Sequence, residues 1–169
     1  MCICMQRIMF LFVLRSLILS LSIFAEDYHL LRHMRHDRSS FTQGLVLHNG
    51  YLYESSGLYG RSSLRAVDPE TGAIVKMVKL EPKYFAEGIT IVDGKLYMLT
   101  YHEKVLLVFD LNSFSLLHSI PITTMTGEGW GLTNDGTHLI VSDGSQFLSF
   151  YEIPHKSTSG PNAVVEKVL

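Results

Sequence analysis

Short apolar runs separated by turn residues fill the chain from Phe41 onward, and none of them has the 3.6-residue period of a helix. The runs 63–67 and 73–78 flank one turn, and the runs 105–109 and 114–120 flank another. Runs of this length, bounded by turn residues, are typical of strands. The pattern therefore predicts antiparallel strand pairs throughout this part of the chain.

Three dipeptides mark tight turns between such strands. Asparagine or aspartate followed by glycine supplies the positive φ angles that a two-residue hairpin needs. Each dipeptide is followed at once by an apolar run, and the three are Asn49-Gly50, Asp93-Gly94 and Asp135-Gly136. We therefore predict a hairpin at each.

The hairpins belong to an internal repeat. The glycines in Gln43-Gly44-Leu45, Glu87-Gly88-Ile89 and Trp130-Gly131-Leu132 are spaced 44 and then 43 residues apart. Four antiparallel strands in a repeat of about 40–45 residues are typical of a propeller blade. The predicted fold class is all-β, a β-propeller of four-stranded blades at about 41–84, 85–127 and 128–169.

Three blades are fewer than a closed propeller contains, which is about four to eight. An open arc leaves the flanks of its first and last blades unpacked. We therefore expect either a fragment or truncated product, or completion of the ring by further copies. Self-association through the open propeller edges is one expected interaction.

Residues 1–25 form a distinct unit. Arg7 precedes an apolar stretch that ends at Ala25, with Glu26 and Asp27 after it. This layout is typical of a secretory signal peptide, with a membrane anchor as the alternative. We expect cleavage near Ala25, no membrane association afterwards, and a secreted location, periplasmic if the source is bacterial. Residues 26–40 are then a linker leading into the propeller.

Composition and charge further limit the range of possible functions and partners. The formal charge is −2, and without residues 1–25 it is 12 basic against 16 acidic residues, or −4. Nucleic-acid binding requires a clustered basic surface, so we expect no nucleic-acid partner. The short basic run around Arg32, Arg35 and Arg38 is interpreted as solvated linker. Both cysteines, Cys2 and Cys4, lie in the signal segment, so the mature form would lack disulfides.

Equivalent positions of the repeat should meet in space, because the first strand of every propeller blade lines the central channel. Gln43, Glu87 and Trp130 each precede the repeat glycine, and the residues two positions earlier are Phe41, Phe85 and Glu128. We therefore expect an amide, a carboxylate and several aromatic rings around one channel mouth.

Glu87 is the candidate general acid/base of this group. A carboxylate among apolar neighbours is costly to bury unless it is paired, and burial raises its pKa toward neutrality. A pKa near neutrality is what acid/base catalysis needs. A structural salt bridge to Lys83 is the alternative. Core packing remains the alternative for Phe41, Phe85 and Trp130, the only tryptophan of the chain.

Metal-based chemistry has little support in the sequence. The eight histidines show no spacing typical of metal ligands, and we expect neither a metal nor another cofactor. A metal-dependent lactonase-type propeller is disfavoured because the channel lacks clustered acidic and asparagine ligands. Asp143 in Ser142-Asp143-Gly144-Ser145 is interpreted as a turn-stabilising residue rather than a catalytic one.

The channel motifs resemble one known family. The chain is similar to the plant- and bacterial-type glutaminyl cyclases from about His36 to Phe150, and the matching motifs occur in the family's order. They are Phe41-Thr42-Gln43-Gly44-Leu45, Tyr53-Glu54-Ser55-Ser56-Gly57-Leu58-Tyr59-Gly60, Phe85-Ala86-Glu87-Gly88-Ile89-Thr90 and Gly129-Trp130-Gly131-Leu132-Thr133-Asn134-Asp135-Gly136.

The resemblance implies a five-bladed propeller that converts N-terminal glutamine to pyroglutamate without a metal, releasing ammonia. It implies peptides or proteins with N-terminal glutamine as partners, Glu87 as general acid/base and Gln43 as a substrate-binding amide. It also implies that Phe41, Phe85 and Trp130 surround the substrate, with Tyr101 where the family commonly has a tryptophan.

The family's remaining substrate-binding asparagine and lysine belong to the fourth and fifth blades, which have no counterpart here. We therefore expect this chain by itself to have little or no cyclase activity. The alternative is a non-catalytic propeller fragment that acts as a peptide-binding or interaction module.

Overall fold

The computed structural model describes residues 30–153 and 167–168, which contain twelve strands and no helix. The described strands all belong to the part of the chain from Met34 onward. The predicted signal peptide, its cleavage site and both cysteines lie outside the described residues.

The strands form three antiparallel sheets, each with neighbouring strands in chain order. The first sheet contains β1 (Thr42–His48), β2 (Tyr51–Ser56), β3 (Ser63–Val67) and β4 (Ile74–Lys79). The second contains β5 (Ala86–Val92), β6 (Lys95–Thr100), β7 (Val105–Asp110) and β8 (Leu116–Pro121). The third contains β9 (Leu132–Asn134), β10 (His138–Ser142), β11 (Leu148–Glu152) and β12 (Lys167–Val168). The predicted all-β class with four-stranded propeller blades is confirmed.

Two hydrophobic cores hold the blades together. One lies between the first two blades and includes Leu64 and Ala66 with Leu96 and Met98. The other lies between the second and third blades and includes Tyr97, Leu99, Leu139, Val141 and Tyr151. Successive side chains of a strand point to opposite faces, so the middle blade contributes one face to each core.

The first two hairpins have the predicted turn, and the third does not. Both residues of Asn49-Gly50 and of Asp93-Gly94 have positive φ. In the third hairpin only Gly136 does, and β10 starts one residue later than a two-residue turn would allow. The Asp135 carboxylate accepts the N–H groups of Thr137 and His138 at 2.8 and 2.6 Å, which stabilises the longer loop.

Phe114 is a second departure from the predicted strands. The sequence placed it in the strand that follows the turn, whereas it has a φ of 60° and β8 begins at Leu116. The residue is 4% exposed, its ring centroid lies 6.0 Å from that of Tyr53, and the Lys76 ammonium lies 5.0 Å from the centroid. Packing in the first core therefore outweighs the cost of the left-handed backbone.

The repeat glycines let the inner strands of adjacent blades meet. A Cβ on Gly44 would lie 2.7 Å from the backbone nitrogen of Ile89, and one on Gly88 would lie 2.4 Å from that of Leu132. The backbone that approaches each of these two glycines belongs to the next blade.

The segment just before β1 is fastened to the first blade by a buried carboxylate. Glu54 is 1% exposed and accepts hydrogen bonds from Ser40 and Thr42, both at 2.5 Å, and from His36 at 2.9 Å. Burial alone would raise the pKa of Glu54, but these hydrogen bonds hold it below its usual value. Asp37 adds an ion pair to Arg65 at 3.0 Å.

Replacing Glu54 by alanine should lower the free energy of unfolding by about 2–4 kcal/mol, because Ser40, Thr42 and His36 all lose the buried carboxylate that accepts their hydrogen bonds. Urea unfolding measures this change. The matched control is Glu152→Ala, since Glu152 is exposed; it should stay within about 0.5 kcal/mol of the wild type. Equal effects of the two substitutions would contradict the prediction.

Candidate active site

Each blade interrupts its regular pairing at the residue before the repeat glycine. Thr42 pairs with Ser56 and Gly44 with Ser55, which leaves Gln43 as an extra residue of β1. In β5 the irregularity falls between Ala86 and Ile89 and contains Glu87. A β-bulge changes the direction of a side chain, so Gln43 and Glu87 leave the alternation of their strands.

The third blade has a related arrangement just before β9. The Trp130 N–H donates to the carbonyl of Ser142 at 3.0 Å, and the Ser142 N–H donates to the carbonyl of Gly131 at 3.0 Å. Trp130 therefore also lies at the start of an inner strand, as the repeat predicts.

Hydrogen bonds between blades fix Glu87 in the middle of this row. Its carbonyl accepts the hydroxyl of Ser55 from the first blade at 2.6 Å. The next N–H, that of Gly88, donates to the carbonyl of Trp130 from the third blade at 2.7 Å. The sequence-equivalent residues thus occupy neighbouring inner strands.

Glu87 is a largely buried residue with an unpaired carboxylate. Its residue is 9% exposed, and within residues 30–153 no hydrogen bond or ion pair to its carboxylate is found. Burial, followed by repulsion from Glu103 and Glu128, raises the pKa of Glu87 from 4.5 to about 7. The alternative salt bridge is wrong, because the Lys83 ammonium pairs with Glu81 at 2.8 Å.

Aromatic rings gather around Phe85. Its ring centroid lies 6.3 Å from that of Phe41, 5.3 Å from that of Tyr59 and 5.7 Å from that of Tyr101. Gly57 makes room for this cluster, since a Cβ there would lie 2.5 Å from Phe85 Cε1 and 3.0 Å from Gln43 Cγ. Gln43 is therefore brought beside the rings.

Trp130 lies apart from both hydrophobic cores and is 47% exposed. Its indole N–H donates to the Glu128 carboxylate at 2.8 Å. Because the ring is exposed and hydrogen-bonded to a carboxylate, we interpret Trp130 as a wall of the site rather than as part of the core.

Sequence reasoning missed the pairing of Tyr59 with Glu103. The Tyr59 hydroxyl donates to Glu103 at 2.8 Å, and the N–H of Phe85 donates to the other carboxylate oxygen at 3.3 Å. Burial and the Glu103 carboxylate raise the pKa of Tyr59 to about 12. The only sequence signal for Tyr59 was its place in the motif at residues 53–60 that resembles the glutaminyl cyclases. Its partner comes from the next blade, which no local pattern shows.

Asp143 has the predicted turn-stabilising contact, because it accepts the N–H of Ser145 at 3.1 Å. No group of three His, Cys, Asp or Glu side chains in the described ranges is placed to hold a metal ion. Nor does any helix long and apolar enough for a membrane span occur in residues 30–153 and 167–168.

The raised pKa of Glu87 makes stability depend on pH. Its stabilising contribution is complete below pH 4.5, the unfolded value, and is lost as the pH rises toward the folded value of about 7. Glu87→Gln removes this loss, so above pH 7 the variant should be more stable than the wild type by about 1–3 kcal/mol. Chemical unfolding of both proteins at pH 4 and pH 8 measures the difference in their free energies of unfolding. The same difference at both pH values would contradict the raised pKa.

Comparison with known proteins decides the family. The sequence profile described as glutamine cyclotransferase matches residues 18–166, which is most of the chain. The chain belongs to the glutamine cyclotransferase family. The sequence resemblance to glutaminyl cyclases is thereby confirmed.

Two relatives of this glutamine cyclotransferase family member are informative. The glutaminyl-peptide cyclotransferase of Arabidopsis thaliana is 39% identical over 114 residues, covering 67% of this chain and 35% of the relative. The crystal structure of Myxococcus xanthus glutaminyl cyclase matches with a TM-score of 0.65 and 33% identity, covering 73% of this chain and 51% of that one. The chain thus spans about a third to a half of these proteins.

More distant structures support the fold alone. The β-propeller domain of Cps50 (Swd1) from Myceliophteria thermophila matches with a TM-score of 0.52 at 9% identity, covering 72% of this chain and 37% of that domain. These matches support propeller blades for the family member. Any conclusion about its chemistry depends on the residues of the site.

Proposed function

We propose that the chain is a glutaminyl-peptide cyclotransferase of low activity, which converts N-terminal glutamine of peptides to pyroglutamate and releases ammonia. The observation that carries the proposal is the unpaired carboxylate of Glu87, a largely buried residue that has a pKa of about 7 and follows Phe85 of the aromatic cluster. The names of the two relatives support the same activity.

Glu87 supplies the proton transfers that this reaction needs. The α-amine attacks the carbon of the γ-amide, and a new carbon–nitrogen bond closes the ring. Glu87 accepts the proton that the amine loses and returns a proton to the departing nitrogen, which leaves as ammonia. A carboxyl group with a pKa near neutrality can perform both transfers at neutral pH.

The neighbouring side chains serve binding and orientation. Gln43 offers a donor and an acceptor for the substrate's amine or carbonyl groups, while Phe41, Phe85, Tyr101 and Trp130 surround the glutamine side chain. Ring closure is intramolecular, so holding the glutamine in a folded pose lowers the barrier by up to about 7–11 kcal/mol in favourable cases.

Location and self-association belong to the same proposal. The apolar stretch in residues 1–25 supports a secreted protein with a cleaved signal peptide. Leu45 and Leu47 on β1 are 57% and 67% exposed, and Leu148 on β11 is 61% exposed, which supports association through these faces. An interaction module is thus the second candidate function. A concentration-independent monomer mass by light scattering would disprove its self-association.

The decisive experiment offers the chain a short peptide with N-terminal glutamine and follows ammonia release and the peptide mass. The matched control is the same peptide with an acetylated α-amine, which cannot attack the γ-amide. Cyclisation of the free-amine peptide alone supports the proposal. Binding of that peptide without any turnover would instead support the peptide-binding alternative. The rate measured in the same assay tests the expectation of weak activity.

A further inference from the structure

A second buried carboxylate lies near the site and takes no part in the proposed proton transfers. Asp143, just after β10, is 2% exposed. One of its carboxylate oxygens accepts the N–H groups of Met125 and Thr126 at 2.7 and 3.2 Å. Asp143 thereby ties the loop that precedes β9 to the end of β10.

Thr126 connects this hydrogen-bonded loop to Glu128. The Thr126 hydroxyl donates to the carbonyl of Asp143 at 2.6 Å and accepts the N–H of Glu128 at 3.2 Å. The Thr124 hydroxyl donates to the carbonyl of Glu128 at 2.7 Å. The backbone of Glu128 is therefore fixed on both sides, although its side chain remains 27% exposed.

Glu128 in turn holds the indole of Trp130. The bond from the indole N–H at 2.8 Å restrains one edge of the ring. Gly144 lies against the ring, since a Cβ there would lie 2.9 Å from Trp130 Cζ2. Gly144 has a φ of 80°, a conformation that favours glycine. Two independent contacts thus define one orientation of an exposed ring.

We infer that Glu128 is a positioning residue of the active site, which Asp143 and Thr126 hold in place so that it fixes the Trp130 indole as one wall of the substrate pocket. The inference rests on the proposed function for the identity of the substrate. The contacts between Glu128 and Trp130 do not depend on that function. The imidazole of His102 also approaches Glu128, with its Nδ1 3.9 Å from Glu128 Oε1.

Trp130 is the only tryptophan of the chain, so intrinsic fluorescence reports on this wall alone. We expect Glu128→Ala to increase acrylamide quenching of Trp130 and to weaken its near-ultraviolet circular dichroism. Glu128→Gln keeps an oxygen that accepts the indole N–H and should restore both signals. Glu152→Ala, an exposed glutamate substitution in the same blade, should change neither.

Kinetic measurements with a glutaminyl peptide as substrate complete the test. Glu128→Ala should lower kcat/KM by about tenfold, the loss expected for a hydrogen bond to a charged group, mainly through a higher KM. Unchanged quenching and dichroism in a folded Glu128→Ala protein would overturn the inference. If the optical signals change as expected but the peptide neither binds nor reacts with the wild type, the positioning role stands and the proposed function fails.

Discussion

Replacing Glu87 by glutamine should reduce the rate of glutaminyl-peptide cyclisation by about 10²–10⁴-fold, the usual contribution of a general acid/base. Glutamine has nearly the same shape but can neither accept the proton of the α-amine nor return one to the leaving nitrogen. Single-turnover measurements with the protein in excess over peptide give enough range to detect this loss even when the wild-type rate is low.

The matched control for that experiment is Glu81→Gln. Glu81 is an exposed glutamate that pairs with Lys83 on the surface, so its substitution should leave the rate unchanged. A Glu87→Gln protein that retains wild-type turnover would remove Glu87 from the reaction, whatever the family of the chain.

The second large effect is expected at the contact between the second and third blades. Gly88→Ala should lower the free energy of unfolding by about 2–4 kcal/mol, because overpacking a site that cannot relax is strongly destabilising. The new Cβ would lie 2.4 Å from the nitrogen of Leu132 and 2.6 Å from the carbonyl oxygen of Trp130. Both are backbone atoms, so the blades must move apart. Urea unfolding with tryptophan fluorescence measures the loss.

Gly131→Ala is the appropriate control for this steric effect. Its nearest obstacle is the hydroxyl of Ser142, at 2.7 Å, which belongs to a side chain that can rotate. We therefore expect a smaller loss, about that of one hydrogen bond or 1 kcal/mol. If Gly88→Ala is as stable as the wild type, close contact of the inner strands does not explain the repeat glycines.

The fold was predictable because its signals repeat. Turn dipeptides, strand lengths and the spacing of Gly44, Gly88 and Gly131 all indicated the same four-stranded unit. The equivalence of Gln43 and Glu87 also followed from the repeat. Their bulges were not predicted, since a bulge depends on how one strand pairs with its neighbour and leaves no local pattern.

The rest of the site depends on contacts between loops of different blades. Tyr59 meets Glu103 across 44 residues of sequence, and no periodicity brings such loops together. The same holds for the contact of Asp143 with Met125. The close contact that requires glycine at Gly44 and Gly88 was not predicted either, because the sequence does not show which backbone approaches them.

The measurement that tests the acid/base assignment most directly is a pH titration of the glutamate side chains by NMR on an isotope-labelled chain. We predict one carboxyl group with a midpoint near pH 7, and we predict that its signal is missing from the Glu87→Gln spectrum. If every glutamate of the folded wild-type protein titrates near pH 4.5, Glu87 is an ordinary surface-like carboxylate and the proposed chemistry is wrong.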